Sequence, residues 1–536
     1  MKRVTFLILS AALIFCVLIL PNHPGTMRLQ AFNRFPLELP ALLLGALAIG
    51  SRRAVPALLA LILLATVILK LADFGMFQAY NRTFNPILDA FLIEAGLGLL
   101  RDSIGTPLVV LAVIATIFGA LAISIGLFAA LRQWSSVRPH ALVRTIGGIT
   151  AMIFAGITIA DAGHSLKYWQ LSKSPPGTSW TTRLSFKRAV EVRNTAIEMV
   201  AFRDAAQIDP YTHSRNLLGL LNERDVIFIF VESYGRASFD NPLYARHKET
   251  LSKAETELEA AGLAMRSGWL TSPTAGGQSW LAHGTLSSGL WTSDNGRYNA
   301  MLTSERKSLF HIASEAGFRT SAVMPAITLA WPESSLMGFE QVLAADDLDY
   351  RGERFNWVTM PDQFVLSAYG SLLGEDPRND FIQIALVSSH APWVPIPPVI
   401  DWDTVGDGAI FTQWATQGPS PREVWKDRDK IRAQYAIAVD YALEVVMSHV
   451  ARLGPDAPLV VVLGDHQAVG FVAGSDNKDV PVHMIGAPES LAHIAHWEWS
   501  SGLIPAPDAP LWRMDAFRGQ FIESFSVQPV AEGQGG

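Results

Sequence analysis

At 536 residues the chain exceeds one ordinary domain. It is 49% hydrophobic and only 17% charged, with a positive mean hydropathy, which excludes an ordinary soluble protein and points to membrane segments. A net charge of −7 excludes the basic face of a nucleic-acid binder, and the single cysteine, Cys16, excludes an intramolecular disulfide.

Val4–Leu20 is an apolar run behind Lys2-Arg3, with no small-x-small cleavage site after it, so it reads as an anchor. Phe35–Gly50, Ala54–Ala72, Pro107–Leu131 and Leu142–Ala160 follow, giving about five expected spans, the second being short. With the N-terminus inside, Lys2, Arg3, Arg52, Arg53, Arg132, Arg138 and Arg144 face the cytoplasm, against Arg28, Arg34, Arg82 and Arg101 outside. An odd number of spans then carries everything after about residue 163 out of the cytoplasm. Pro86–Leu100 mixes apolar positions with Asp89 and Glu94 and reads as an interfacial helix, either a packing element or a lipid-handling one. Arg183–Gln207 is charged, with apolar residues near helical spacing, as in a tether. Residues 1–163 are thus an expected transmembrane domain, 164–221 a linking segment and 222–536 a catalytic domain, with 531–536 a frayed tail.

From residue 222 onward strand-like and helix-like runs alternate. Val226–Val231, Thr320–Met324, Phe381–Val387, Leu459–Leu463 and Pro481–Ile485 read as strands. His247–Ala261, Leu281–Gly289, Lys307–Ala316 and Asp429–Leu453 read as helices. That order predicts an α/β fold with a mostly parallel sheet covered on both faces.

Chemistry-bearing residues follow these runs. Glu232 ends the first strand, Asp465-His466 ends another, and Ser388-Ser389-His390 follows a third. The carboxyl edge of such a sheet is where open α/β folds bind ligands. Ser279 follows Gly276-Gly277-Gln278 at the start of a predicted helix, whose unpaired N–H groups favour an anion, although an ordinary N-cap serine has the same sequence; Thr274 is a second hydroxyl in that turn. Taken singly, Glu232 could pair with an arginine, His390 could be a loop histidine, and Gly464-Asp465-His466 could be a turn. Together their oxygen and imidazole donors suit zinc, manganese or magnesium.

On Phe230-Val231-Glu232-Ser233, Gly277-Gln278-Ser279, Ser389-His390-Ala391-Pro392 and Gly464-Asp465-His466, the chain resembles the lipoteichoic acid synthase and phosphoglycerol transferase branch of the alkaline phosphatase–sulfatase superfamily. The resemblance covers nearly the whole chain. It implies a sulfatase-like catalytic domain outside the cytoplasmic membrane. It implies one divalent metal (Mn, Zn or Mg) held by Glu232, Ser279, Asp465 and His466, with Ser279 as nucleophile and His390 near the substrate phosphate. It implies a phospholipid donor whose head group, of phosphoglycerol or phosphoethanolamine type, passes to an envelope glycan or lipid. Lipoteichoic acid synthases use threonine where Ser279 stands, and their head-group tryptophan and arginine are matched only by Trp331, without an arginine in register. His483, in Val480-Pro481-Val482-His483, is a further candidate for a metal or phosphate contact. No (C/S)-x-P-x-R motif for formylglycine occurs in the catalytic half, and Cys16 cannot supply the disulfides of phosphoethanolamine transferases. A hydrolase using water as acceptor, and a non-catalytic envelope-binding protein, are the alternatives.

Overall fold

A computed structural model describes residues 2–26, 35–50, 53–80, 83–221, 223–356 and 359–527. Arg28, Arg34, Arg52 and Arg82 of the orientation argument, and the tail 531–536, lie outside these residues. The chain divides into two compact units, Met1–Val200 and Ala201–Gly536.

The first unit is helical: α1 (Lys2–Ile19), α2 (Glu38–Ile49), α3 (Ala54–Tyr80), α4 (Phe91–Ile104), α5 (Thr106–Ser135), α6 (Ala141–Ser165) and α7 (Trp180–Ala206), the last running past the boundary. Among the described residues three helices are long and apolar enough to cross a membrane, Ala54–Gln78, Thr106–Ser135 and Ala141–Ser165. The apolar helices Arg3–Ile19 and Glu38–Ile49 are shorter, so the expected count of five is reached only if both are included. At 1.5 Å per residue the 12 residues of α2 fall well below the thickness of a hydrocarbon core. Three of the charges buried in this unit, Lys70, Asp73 and Arg188, have partners. Lys70 Nζ donates to the Val17 and Leu18 carbonyls and to Thr181 Oγ1, and Arg188 donates to both oxygens of Asp73.

The second unit is built on a nine-stranded sheet ordered β4-β3-β5-β1-β6-β7-β2-β8, with β9 also paired to β2. Its strands are β1 (Val226–Val231), β2 (Ala264–Thr271), β3 (Arg319–Met324), β4 (Gln341–Ala344), β5 (Asp380–Ala385), β6 (Leu459–Gly464), β7 (Asp479–Gly486), β8 (Ser500–Ser501) and β9 (Leu511–Arg513). The β4-β3-β5-β1-β6 half is parallel throughout, while β7 runs antiparallel to β6 and β2.

Every residue of β1 and β6 is buried, and alternation along the strand sends them to opposite faces. Val226, Phe228 and Phe230 join one core with Ala282, Leu286, Phe517 and Phe521, and Ile227, Ile229 and Val231 join the other with Leu251, Tyr435 and Val439. Each such side chain contributes roughly 1.5–3 kcal/mol by leaving water. The helices Ser279–Ser288 and Ala516–Phe525 cover the first face, and Ala245–Ala260 and Arg428–Leu453 the second. A strand covered on both faces has no use for polar residues until it runs out, so the first polar residues appear at its carboxyl end.

Burial also makes the second unit acid-sensitive at a known position. His449, packed between Tyr369 and Trp402, is pushed down to about 4 by burial, with Arg452 adding to the effect. A lowered imidazole is neutral when folded, whereas the unfolded chain takes up its proton below about 6.5. The contribution is therefore intact above pH 6.5 and is lost as pH falls towards 4. Between pH 7.5 and 5 the stability difference between wild type and His449→Gln should shift by about 2 kcal/mol in favour of the variant. Urea unfolding of the detergent-solubilised protein at the two pH values measures it, and a pH-independent difference would refute a neutral, partly buried His449.

Candidate active site

Four stretches far apart in sequence meet at the carboxyl ends of β1 and β6. Val231 pairs with Gly464, so Glu232 and Asp465 leave adjacent strands side by side. Ser233, next to Glu232, has φ 59°, and its N–H donates to Asp465 Oδ1 at 2.9 Å. Gly464 permits the approach because a Cβ there would lie 1.7 Å from the Tyr234 carbonyl oxygen.

Ser279 arrives on a tight turn. Gly276 and Gly277 have φ values of 72° and 139°, and Gln278, the residue before the helix Ser279–Ser288, is left-handed at φ 67°. A non-glycine residue held there costs on the order of 1 kcal/mol and persists only where its surroundings dictate it. Thr274 Oγ1 donates to the Gly277 carbonyl at 2.7 Å, so this second hydroxyl closes the turn that presents the first.

The four side chains touch. Ser279 Oγ donates to Glu232 Oε2 at 2.9 Å and lies 3.4 Å from His466 Nε2. His466 Nε2 is 3.2 Å from Glu232 Oε1 and 3.8 Å from Asp465 Oδ2. The other ring nitrogen, Nδ1, faces the Gln467 carbonyl at 3.1 Å, which aims Nε2 inward. Glu232, Asp465 and His466 are all buried, with one donor atom from each within 4.8 Å of the others.

Two buried carboxylates side by side are electrostatically unfavourable unless positive charge joins them. Burial and the charge of Glu232 push Asp465 up to about 7. Burial opposes ionisation of Glu232 as well, but the charge and hydrogen bond of His466 outweigh it and hold that carboxyl well below the usual range. His466 is raised to about 9, burial being overcome by Asp465 and Glu232. Such a donor set, two hard oxygens and one imidazole at close range, fits a divalent cation.

A cavity of about 460 Å³ opens over Ser279, Glu232 and Asp465. His390 and Trp331, both expected near the substrate, line it. His390 is exposed, on a segment tied to the site by Ser389, whose Oγ donates to the Glu232 carbonyl at 2.7 Å. His483 is not brought in. It faces Ser267 across the β2–β7 pair, with Nδ1 2.8 Å from Ser267 Oγ and Nε2 3.0 Å from the Tyr234 hydroxyl, so both nitrogens are engaged inside the sheet.

His283 is a titratable residue of the cavity that the sequence reading did not single out. It follows Ser279 by one helical turn, packs its ring 4.1 Å from that of Phe230 and lines the cavity; burial lowers it to about 4. The i, i+4 spacing from Ser279 was the available signal.

Residues 224–478 match the family model described as sulfatase. No curated protein matches the chain. Among solved structures, the chain is similar to the lipoteichoic acid synthase LtaP from Listeria monocytogenes, with 13% identity over 60% of this chain and 76% of that one and a TM-score of 0.36. It is also similar to the integral membrane lipooligosaccharide phosphoethanolamine transferase A from Neisseria meningitidis, with 13% identity over 88% and 84% and a TM-score of 0.43. The Streptococcus pyogenes phosphoglycerol transferase GacH, in complex with sn-glycerol-1-phosphate, gives 15% identity over 62% and 81% and a TM-score of 0.34.

Proposed function

We propose that this protein, whose residues 224–478 match the sulfatase family model, is a membrane transferase with its catalytic domain outside the cytoplasm. It takes a phosphorylated head group from a phospholipid onto Ser279 and passes it to a hydroxyl of an envelope glycan or lipid. The observation that carries this reading is the hydroxyl of Ser279 at a helix N-terminus, hydrogen-bonded to Glu232 and within 3.4 Å of His466, at the floor of a cavity.

Glu232, Asp465 and His466, with Ser279 Oγ as a fourth donor, would hold the divalent ion. Its charge would ease deprotonation of the serine hydroxyl and offset charge on the phosphoryl oxygens. Glu232 Oε2 orients the Ser279 O–H bond. Ser279 Oγ then bonds to phosphorus as the bond from phosphorus to the diacylglycerol oxygen breaks, and that oxygen leaves with a proton. The N-terminus of the helix Ser279–Ser288 would favour the negative charge of a nonbridging oxygen. His390, beyond the carboxyl end of the parallel strand β5, faces the same phosphoryl group, and Trp331 flanks the head group. Positioning and charge compensation supply most of the rate in phosphoryl transfer, and these residues supply both.

Intact mass of the full-length protein after incubation with Mn²⁺ and vesicles of phosphatidylglycerol or phosphatidylethanolamine tests the proposal. An added mass equal to one phosphorylated head group, with release of diacylglycerol, is the expected result and names the donor. Lipid consumption without an adduct on a rapid-quench timescale would replace serine by water and make the protein a hydrolase.

A further inference from the structure

His390 lines a second hollow as well as the cavity over Ser279. This hollow measures about 550 Å³ and is formed by His390, Ala391, Pro392, Pro421, Arg422 and Trp425. Its floor is built to be flat and stiff. Trp425 is 45% exposed and lies parallel to Trp393, with ring centroids 5.9 Å apart and 8° between planes. Trp393 is buried, and its indole N–H donates to the Ser389 carbonyl at 2.7 Å, on the segment that Ser389 Oγ ties to Glu232. The exposed indole is thereby fixed to the same scaffold as the candidate nucleophile's partners.

The charge around it is asymmetric. The acids nearby are engaged by local structure: Glu423 accepts from Ser420 N–H and Oγ, Asp427 from the N–H groups of Asp429 and Lys430, and Asp429 pairs with Arg432. Among the described residues, the exposed Arg422 side chain has neither hydrogen bond nor ion pair. An exposed indole face beside proline walls suits the apolar C–H face of a sugar ring, and a free guanidinium suits a carboxylate or phosphate on it. The hollow is shallow and open, so it fits a ring laid on a surface and not an acyl chain.

We propose that this hollow is the acceptor subsite and that the acceptor is a negatively charged glycan, stacked on Trp425 with its anionic group at Arg422. The inference rests on the transferase reading above. In the second half of that reaction the acceptor hydroxyl oxygen bonds to phosphorus, the bond from phosphorus to Ser279 Oγ breaks, and the hydroxyl proton passes to the released serine oxygen. The shared His390 lets one phosphoryl group be reached from both hollows.

The test titrates full-length protein in detergent with tetragalacturonate, an acidic oligosaccharide, and with neutral maltotetraose, reading indole fluorescence and calorimetric heat. Wild type should bind the acidic sugar more tightly. Trp425→Ala and Arg422→Gln should each weaken that binding about tenfold or more, the effect of one charge-assisted hydrogen bond or its stacking equivalent, and Arg422→Gln should erase the preference over maltotetraose. Adduct formation on Ser279 from phospholipid vesicles, followed in parallel, should not fall with them. No binding to wild type, or equal binding in the variants, overturns the proposal. A parallel fall in adduct formation also overturns it, by assigning the hollow to the lipid donor. Binding as expected by a wild-type protein that forms no adduct upholds the glycan site while removing the transferase reading.

Discussion

Replacing Ser279 by alanine is expected to reduce head-group release by a factor on the order of 10³ to 10⁶, the range seen when one member of a concerted nucleophilic set is deleted. The substitution is structurally mild. Ser279 is the first helical residue, the helix is preceded by Gln278, and alanine is the best helix former. The hydrogen bonds of the Ser279 side chain go to site residues, Glu232, His466 and Asp465, so its loss leaves the core and the turn untouched. The melting temperature of Ser279→Ala should therefore match wild type while diacylglycerol release, measured by mass spectrometry, collapses. Ser279→Thr keeps a hydroxyl at the same atom and should retain measurable turnover. Should Ser279→Ala keep more than about a tenth of wild-type activity, the nucleophile lies elsewhere.

The second large effect is expected at Gly464, which never touches substrate. A methyl group there would stand 1.7 Å from the Tyr234 carbonyl oxygen and 2.8 Å from its carbon, both backbone atoms that cannot rotate aside. The ends of β1 and β6 would have to part, and these ends carry Glu232 and Asp465. Gly464→Ala should thus cost about 3 kcal/mol of stability, at the upper end of overpacking penalties, and weaken Mn²⁺ binding along with it. Thermal unfolding and calorimetric Mn²⁺ titration of the purified protein read the two effects. Normal stability and normal Mn²⁺ affinity in Gly464→Ala would show that the strand ends are not clamped as described.

Much of this architecture is legible in the sequence where one physical rule dominates. β1 and β6 read clearly because a strand covered on both faces must be apolar at every position, and VIFIFV and LVVVL satisfy nothing else so well. Glu232, Asp465 and His466 stand out for the converse reason: hard donors where an apolar run stops. β2 was hidden because Ala264–Thr271 mixes Arg266, Ser267 and Gly268 with apolar residues. Its glycine lets the Trp499 ring approach, and its serine answers His483, and both neighbours are remote in sequence. His483 is a candidate for a metal or phosphate contact by residue type, yet it sits inside a strand and not beyond its end. Cross-strand register decides its partners, and register is a property of the pairing rather than of the segment. The helix α2 shows the limit of hydropathy: its composition suits a span, and its 12 residues fall short of one.

The position of β1 between β5 and β6 carries a consequence for how the protein is made. Its neighbours begin at Asp380 and Leu459, so a growing chain carries a wholly apolar strand with both edges open until late in synthesis. Pairing must wait for long loops to close, which makes folding slow and leaves the nascent domain prone to association with other chains. Any truncation before Leu459 would strand β1 without one partner. The order of emergence also means that Glu232 waits for Asp465 and His466, so the three donors become a site only when the central sheet has closed.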